Sequence, residues 1–125
     1  MTSLDQLAKS STVSLTTFRR DGTPVATPVG GVVSGDALYV LSYAGTGKLK
    51  RLRNNPRVVV APCDNAGRIP ADGRSIEGTA RVLDREETER AYRLMARRTP
   101  LARLAKAWYT IRRRQDPWVG VEVTF

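Results

Sequence analysis

Apolar and polar positions alternate in short bursts along the first third of the chain. In TVSLTTF (12–18), Val13 and Leu15 fall on one side and threonines on the other. That period of two, in a run rich in β-branched residues, predicts a strand. Asp21-Gly22 supplies a hairpin turn, because Asp-Gly readily takes positive φ. PVATPVGGVV (24–33) is a second strand; Pro24 and Pro28 cannot donate to a ladder and so belong at an edge or an interruption. Ser34-Gly35-Asp36 turns the chain into a third strand, ALYVLSY (37–43). RVVVAPC (57–63) is almost continuously apolar, the pattern of a strand covered on both faces. SIEGTARVL (75–83) is a fifth strand. WVGVEVTF (118–125) is a sixth, with Val119, Val121, Val123 and Phe125 on one face.

Between these bursts the period lengthens. Residues 3 to 9 carry Leu4 and Leu7 on one helical face. After the third strand comes TGKLKRLRNNPRV (46–58), where Leu49 and Leu52 are three apart, Thr46 can cap and Asn54-Asn55-Pro56 stop the helix. Asp84 with Glu87 makes a capping box ahead of Ala91, Leu94 and Met95. Thr99-Pro100 interrupts that helix. A second stripe follows, through Leu101, Leu104, Ala105, Trp108 and Ile111, and Pro117 ends it. DNAGRIPADGR (64–74) is a polar loop long enough to be functional or mobile. The sum is a single α+β domain, mainly β, over residues 1–125, without repeats. Strands joined mostly by tight turns favour antiparallel pairing, closed as a small barrel or sandwich.

Composition narrows the chemistry. There is no histidine and one cysteine, Cys63. Ser-His-Asp and Cys-His catalysis are excluded, an internal disulfide is impossible, and no thiolate metal cage can form. The expectation is no metal site, and that a cofactor carries whatever reaction occurs. Cys63, at the end of an apolar strand, reads as a buried structural thiol. No apolar run is long enough to span a bilayer and MTSLDQLAKSS lacks a signal-peptide core, which predicts a cytoplasmic protein with no membrane partner. The net charge of +9 favours an anionic partner: nucleic acid, acidic lipid, or a phosphorylated or carboxylated small molecule. The charge gathers in the 46–58 run and between Arg90 and Arg114. Few aromatic residues interleave with the cations, and no helix-turn-helix or zinc-finger spacing is present, so nucleic acid is the weaker reading.

On a helix, Lys48 and Arg51 share one side and Lys50 and Arg53 the other, with the leucines between. Lys48 sits in the first turn, beside free amides and the positive end of the helix dipole, and Gly47 leaves the approach open. The run is readable as a phosphate site or as a solvated amphipathic face; it has no Walker-type glycine spacing.

Three stretches, TVSLTTFRRDGTPVATPV, ALYVLSYAGTGKLKRLRNNPRVVVAPC and EGTARVLD, resemble the split β-barrel flavin and deazaflavin oxidoreductases. This is the pyridoxamine-phosphate-oxidase-like superfamily, and the likeness is strongest to its coenzyme F420-dependent branch. It covers roughly residues 10 to 125. The resemblance implies a six-stranded antiparallel split barrel, with a short helix after strand three and a helical pair before the last strand. It also implies a homodimer with the cofactor in a groove at the interface. Lys48 matches the family's phosphate-binding lysine, and Thr46 and Gly47 the turn before it. Ser42 and Tyr43 match the strand end beside the phosphate and ribityl chain. Thr27, Pro28 and Val29 match the segment whose backbone lines the ring system. Lys50 and Arg51, and less directly Arg53, match contacts to an anionic tail. Two departures stand out: Gly30-Gly31 replaces a bulky residue, which predicts a larger pocket, and Gly47 replaces the arginine that flavin-using oxidases carry before the lysine. The implied activity is hydride transfer from reduced F420 to an organic small-molecule substrate. The alternatives are an FMN flavoprotein of the same fold, an F420 carrier without turnover, and a basic nucleic-acid-binding module. No catalytic side chain is indicated.

Overall fold

A computed structural model of the chain describes residues 3–10, 12–43, 47–98 and 118–125. It contains six strands: β1 (Thr12–Phe18), β2 (Pro24–Ser34), β3 (Ala37–Tyr43), β4 (Arg57–Pro62), β5 (Ile76–Val82) and β6 (Trp118–Thr124). The helices among the described residues are α1 (Ser3–Lys9), α2 (Gly47–Asn54) and α3 (Arg85–Arg98). The strands close into an antiparallel barrel in the order β1-β2-β3-β6-β5-β4. Closure leaves no sheet edge of full length to invite a stray strand.

The turns form where the sequence places them. Gly22 and Gly35 both take positive φ, 89° and 61°, in the β1–β2 and β2–β3 connections. The Asp21 carboxylate accepts from the Thr23 amide at 3.0 Å, which holds its pKa below the ordinary carboxylate value. β2 is the bridging strand of the barrel. Its residues 24–30 pair with β1, whereas only Gly31–Ser34 pair with β3. Pro24 and Pro28 therefore lie on the stretch with one partner, where a missing N–H leaves no gap in a second ladder.

The inward phase of the strands makes the core. Val13 and Leu15 of β1, Leu38 and Val40 of β3, Val58 and Val60 of β4, and Val121 and Val123 of β6 are all fully buried. Leu7 of α1 and Leu49 and Leu52 of α2 join the same cluster. α3 begins with a reciprocal capping box. The Glu87 amide donates to Asp84 Oδ1 at 2.8 Å, and the Asp84 amide donates to Glu87 Oε1 at 3.3 Å. α3 is fastened to β6 where the Gly120 amide donates to the buried Thr88 Oγ1 at 2.9 Å.

The structure refines four expectations from the sequence. Phe125 lies beyond β6 and is exposed, although Val121 and Val123, in the same phase, are buried. Cys63 is half-buried rather than fully buried, one residue past the end of β4; burial and the nearby Asp64 push its thiol pKa up, so it is poorly ionised. The 64–74 loop is tied down. Asp64 accepts from the Ala66 and Arg68 amides, both at 2.9 Å, and Gln6 of α1 bonds Asp72 O and the Arg74 amide. Gly31 is closely packed: a Cβ there would sit 3.1 Å from Leu38, whereas one on the exposed Gly30 would make ordinary contact with the Met95 side chain at 3.4 Å. The second helical stripe, with Trp108, lies outside the described residues.

Candidate functional site

β1 and β3 run in the same direction, because each is antiparallel to β2. Their inward phases consequently end at the same mouth of the barrel. On β1 the phase Val13-Leu15 ends in Thr17, and on β3 the phase Leu38-Val40 ends in Ser42. Both hydroxyls are buried. α2 follows β3 closely and closes this mouth with Leu49 and Leu52, packing on β1 and β5. That packing fixes the rotation of the helix. Lys48 is buried, Arg51 is half-buried, and Lys50 and Arg53 are exposed.

Two cations thus meet two hydroxyls. Lys48 Nζ donates to Ser42 Oγ at 3.4 Å, and Arg51 Nε donates to Thr17 Oγ1 at 2.7 Å. A Cβ on Gly47 would lie 3.0 Å from Arg51 Nη1, so the missing side chain lets the guanidinium fold back along the first turn. Burial, reinforced by the Arg51 charge, lowers the Lys48 pKa from its ordinary value of 10.5. Among the described residues no carboxylate pairs with Lys48. A buried ammonium answered only by a hydroxyl is costly, and an anion at this mouth would relieve it.

Thr27, Pro28 and Val29 sit opposite Leu15, Ser14 and Val13 on the single-partner stretch of β2. Thr27 and Val29 share the inward phase. Pro28 is exposed, and its ring would lie 3.8 Å from a Cβ on Gly67 of the 64–74 loop. Tyr43 ends β3, opposite Trp118. Thr46 lies outside the described residues. Lys50 is not brought to the Lys48 side of α2. Thr17 was not singled out in the sequence; its signal was a polar residue closing an otherwise apolar inward phase. Among the described residues, no group of three or more Cys, Asp or Glu side chains could hold a metal ion.

The pyridoxamine 5'-phosphate oxidase family model matches residues 3–120, almost the whole of this barrel. The chain belongs to the pyridoxamine 5'-phosphate oxidase family. No functionally curated protein sequence matches it. Among solved structures, a protein of Listeria innocua described as a candidate pyridoxamine 5'-phosphate oxidase aligns with TM-score 0.67 and 22% identity, covering 97% of this chain and 88% of the other. An FAD-binding protein of Mesorhizobium loti aligns with TM-score 0.66 and 19% identity, covering 100% and 88%. The heme storage protein HutZ of Vibrio cholerae aligns with TM-score 0.69 and 14% identity, covering 96% and 84%. At these identities the likeness is one of fold. The expected pyridoxamine-phosphate-oxidase-like superfamily and its six-stranded barrel are borne out. Proteins of this fold carry names for different ligands, so activity must be argued from the site. No helix among the described residues is long and apolar enough to cross a membrane.

Proposed function

We propose that the protein is an oxidoreductase that binds coenzyme F420 through the α2 mouth of the barrel and transfers a hydride from it to a small organic substrate. The observation that carries this reading is Lys48: a buried cation at the start of a helix, touching a hydroxyl, with no carboxylate partner among the described residues. The residues fit a phosphorylated cofactor. Lys48 and Ser42 would hold the phosphate, with the first-turn amides beside it. Arg51, steadied by Thr17, would meet the next acidic group along the tail. The backbone of Thr27, Pro28 and Val29 would border the ring, with Tyr43 flanking the chain between ring and phosphate. Lys50, exposed on the far side of α2, would reach only the outer part of an extended tail. The cofactor supplies the hydride chemistry when bound. The protein's part is to fix the phosphate end, so that the ring is held in one orientation with one face toward the substrate.

The net charge of +9 supports F420, whose tail carries several carboxylates besides the phosphate, over a cofactor with fewer acidic groups. Gly47, where flavin-using relatives carry arginine, supports the same choice. FMN is the second reading, favoured by the FAD-binding neighbour on the same fold. A carrier role is the third, and the heme storage neighbour has a name of that kind. A homodimer with the cofactor between protomers belongs to the same proposal, as does a location in the cytoplasm. Titration with F420 and FMN separates the readings. F420 fluorescence should be quenched at low-micromolar ligand, and retention of FMN without F420 binding would overturn the choice. Reduced F420 offered with quinones and enones then distinguishes an enzyme from a carrier, since a carrier leaves it unoxidised. Binding of single-stranded oligonucleotides in place of either cofactor would favour the nucleic-acid module.

A further inference from the structure

The outer face of the barrel carries a second concave feature that the α2 mouth does not use. Tyr39 of β3 and Glu122 of β6 are directly opposed in the ladder and share the outward phase. The Tyr39 hydroxyl donates to Glu122 Oε2 at 3.0 Å. α3 lies across them and leaves a cleft of about 450 Å³. That is within the ~300–1,000 Å³ typical of small-molecule sites. Leu83, Ala91 and Leu94 give it an apolar floor. Arg90, Arg93 and Arg97, three and four apart on α3, line its rim from one helical face.

The charges in this cleft are not mutually satisfied. Its two carboxylates, Glu87 and Glu122, are both engaged by Arg81, at 2.7 and 3.5 Å. Among the described residues no carboxylate pairs with Arg90, Arg93 or Arg97. The rim is therefore cationic over an apolar floor, with a phenol at one side whose oxygen can still accept a hydrogen bond. Guanidinium groups recognise carboxylates with two parallel hydrogen bonds, and their spacing along the helix suits more than one such group.

We propose that the cleft between α3 and the outer faces of β3 and β6 is a second ligand site, which takes an organic anion with an apolar body and two carboxylate groups. It is distinct from the Lys48 mouth. Ser42 and Tyr39 are three residues apart on β3 and in opposite phases, so the two sites lie on opposite faces of one strand. The proposal does not depend on which cofactor the mouth binds.

Naphthalene-2,6-dicarboxylate is a suitable probe, followed through its own fluorescence at low salt with the full-length protein. Saturable binding below about 1 mM is expected. Its dimethyl ester should bind about tenfold more weakly or worse. The Arg93→Gln/Arg97→Gln double variant, altered only at exposed positions, should lose binding by a similar factor. Lys48→Met should leave it unchanged, and the double variant should leave cofactor affinity unchanged. No saturable binding, equal binding of the ester, or loss in Lys48→Met with retention in the arginine variant would each overturn the assignment.

Discussion

At the residue scale, Lys48 is a cation held where water cannot fully solvate it. Lys48 is lifted from solvent by the packing of its neighbours, Leu49 and Leu52, and its Nζ meets the Ser42 hydroxyl but no carboxylate among the described residues. Lys48→Met keeps the volume and removes the charge. Without ligand, the variant should be more stable than the parent, by about 1 kcal/mol or more, in urea unfolding. The pH dependence has a definite sign. A lysine whose folded pKa is lowered holds fewer protons folded than unfolded, so ligand-free stability rises as pH climbs through the folded pKa toward 10.5. That rise should be missing from Lys48→Met, and identical pH curves for the two proteins would contradict the burial argument. Glu87 behaves in the opposite sense. Hydrogen bonds from Arg81, and then from the Asp84 amide, lower its pKa to about 2. Its contribution is present above 4.5 and is lost as pH falls toward 2. The stability gap between parent and Glu87→Gln should therefore close over that range, and a gap that persists at pH 2 would contradict it.

At the element scale, α2 is both a core element and the platform of the site. Leu52 is 4% exposed, and Leu52→Ala should cost about 2–4 kcal/mol of stability. It should also loosen Lys48 and Arg51 together, seen as weaker cofactor binding; a destabilised variant with parental affinity would uncouple the helix's packing from the site. α3 offers a parallel test. Thr88→Val would leave the buried Gly120 amide without its acceptor, at a cost of about 1–3 kcal/mol in denaturant unfolding. Much of this was legible beforehand. β3 and the start of β2 fall where alternation put them, and the Asp84–Glu87 box forms as spaced. Periodicity also separated Lys48 from Lys50. It could not show that Thr17 and Ser42 arrive at one mouth, because that follows from strand direction and barrel closure, which no local pattern encodes. Nor could it show that Gly31 makes room for Leu38, since the contact crosses from β2 to β3. The length of the 64–74 loop could not show its local order, which comes from Asp64, which folds the loop onto its own amides, and from Gln6, far away in sequence.

At the scale of the whole molecule, the two proposed anion sites lie on opposite faces of β3. One is at the mouth closed by α2 and the other under α3. If the mouth is a shared groove, dimer formation and cofactor affinity should be linked, and sedimentation should show a dimer that F420 strengthens. Cofactor affinity independent of protein concentration across a monomer–dimer transition would contradict that arrangement. The proposed cofactor anchor reduces to one charge, that of Lys48. The most direct test is F420 fluorescence titration of the parent and Lys48→Met side by side at low salt. An affinity loss of about tenfold or more is expected in the variant, alongside its higher ligand-free stability. Equal affinities in the two proteins would contradict it.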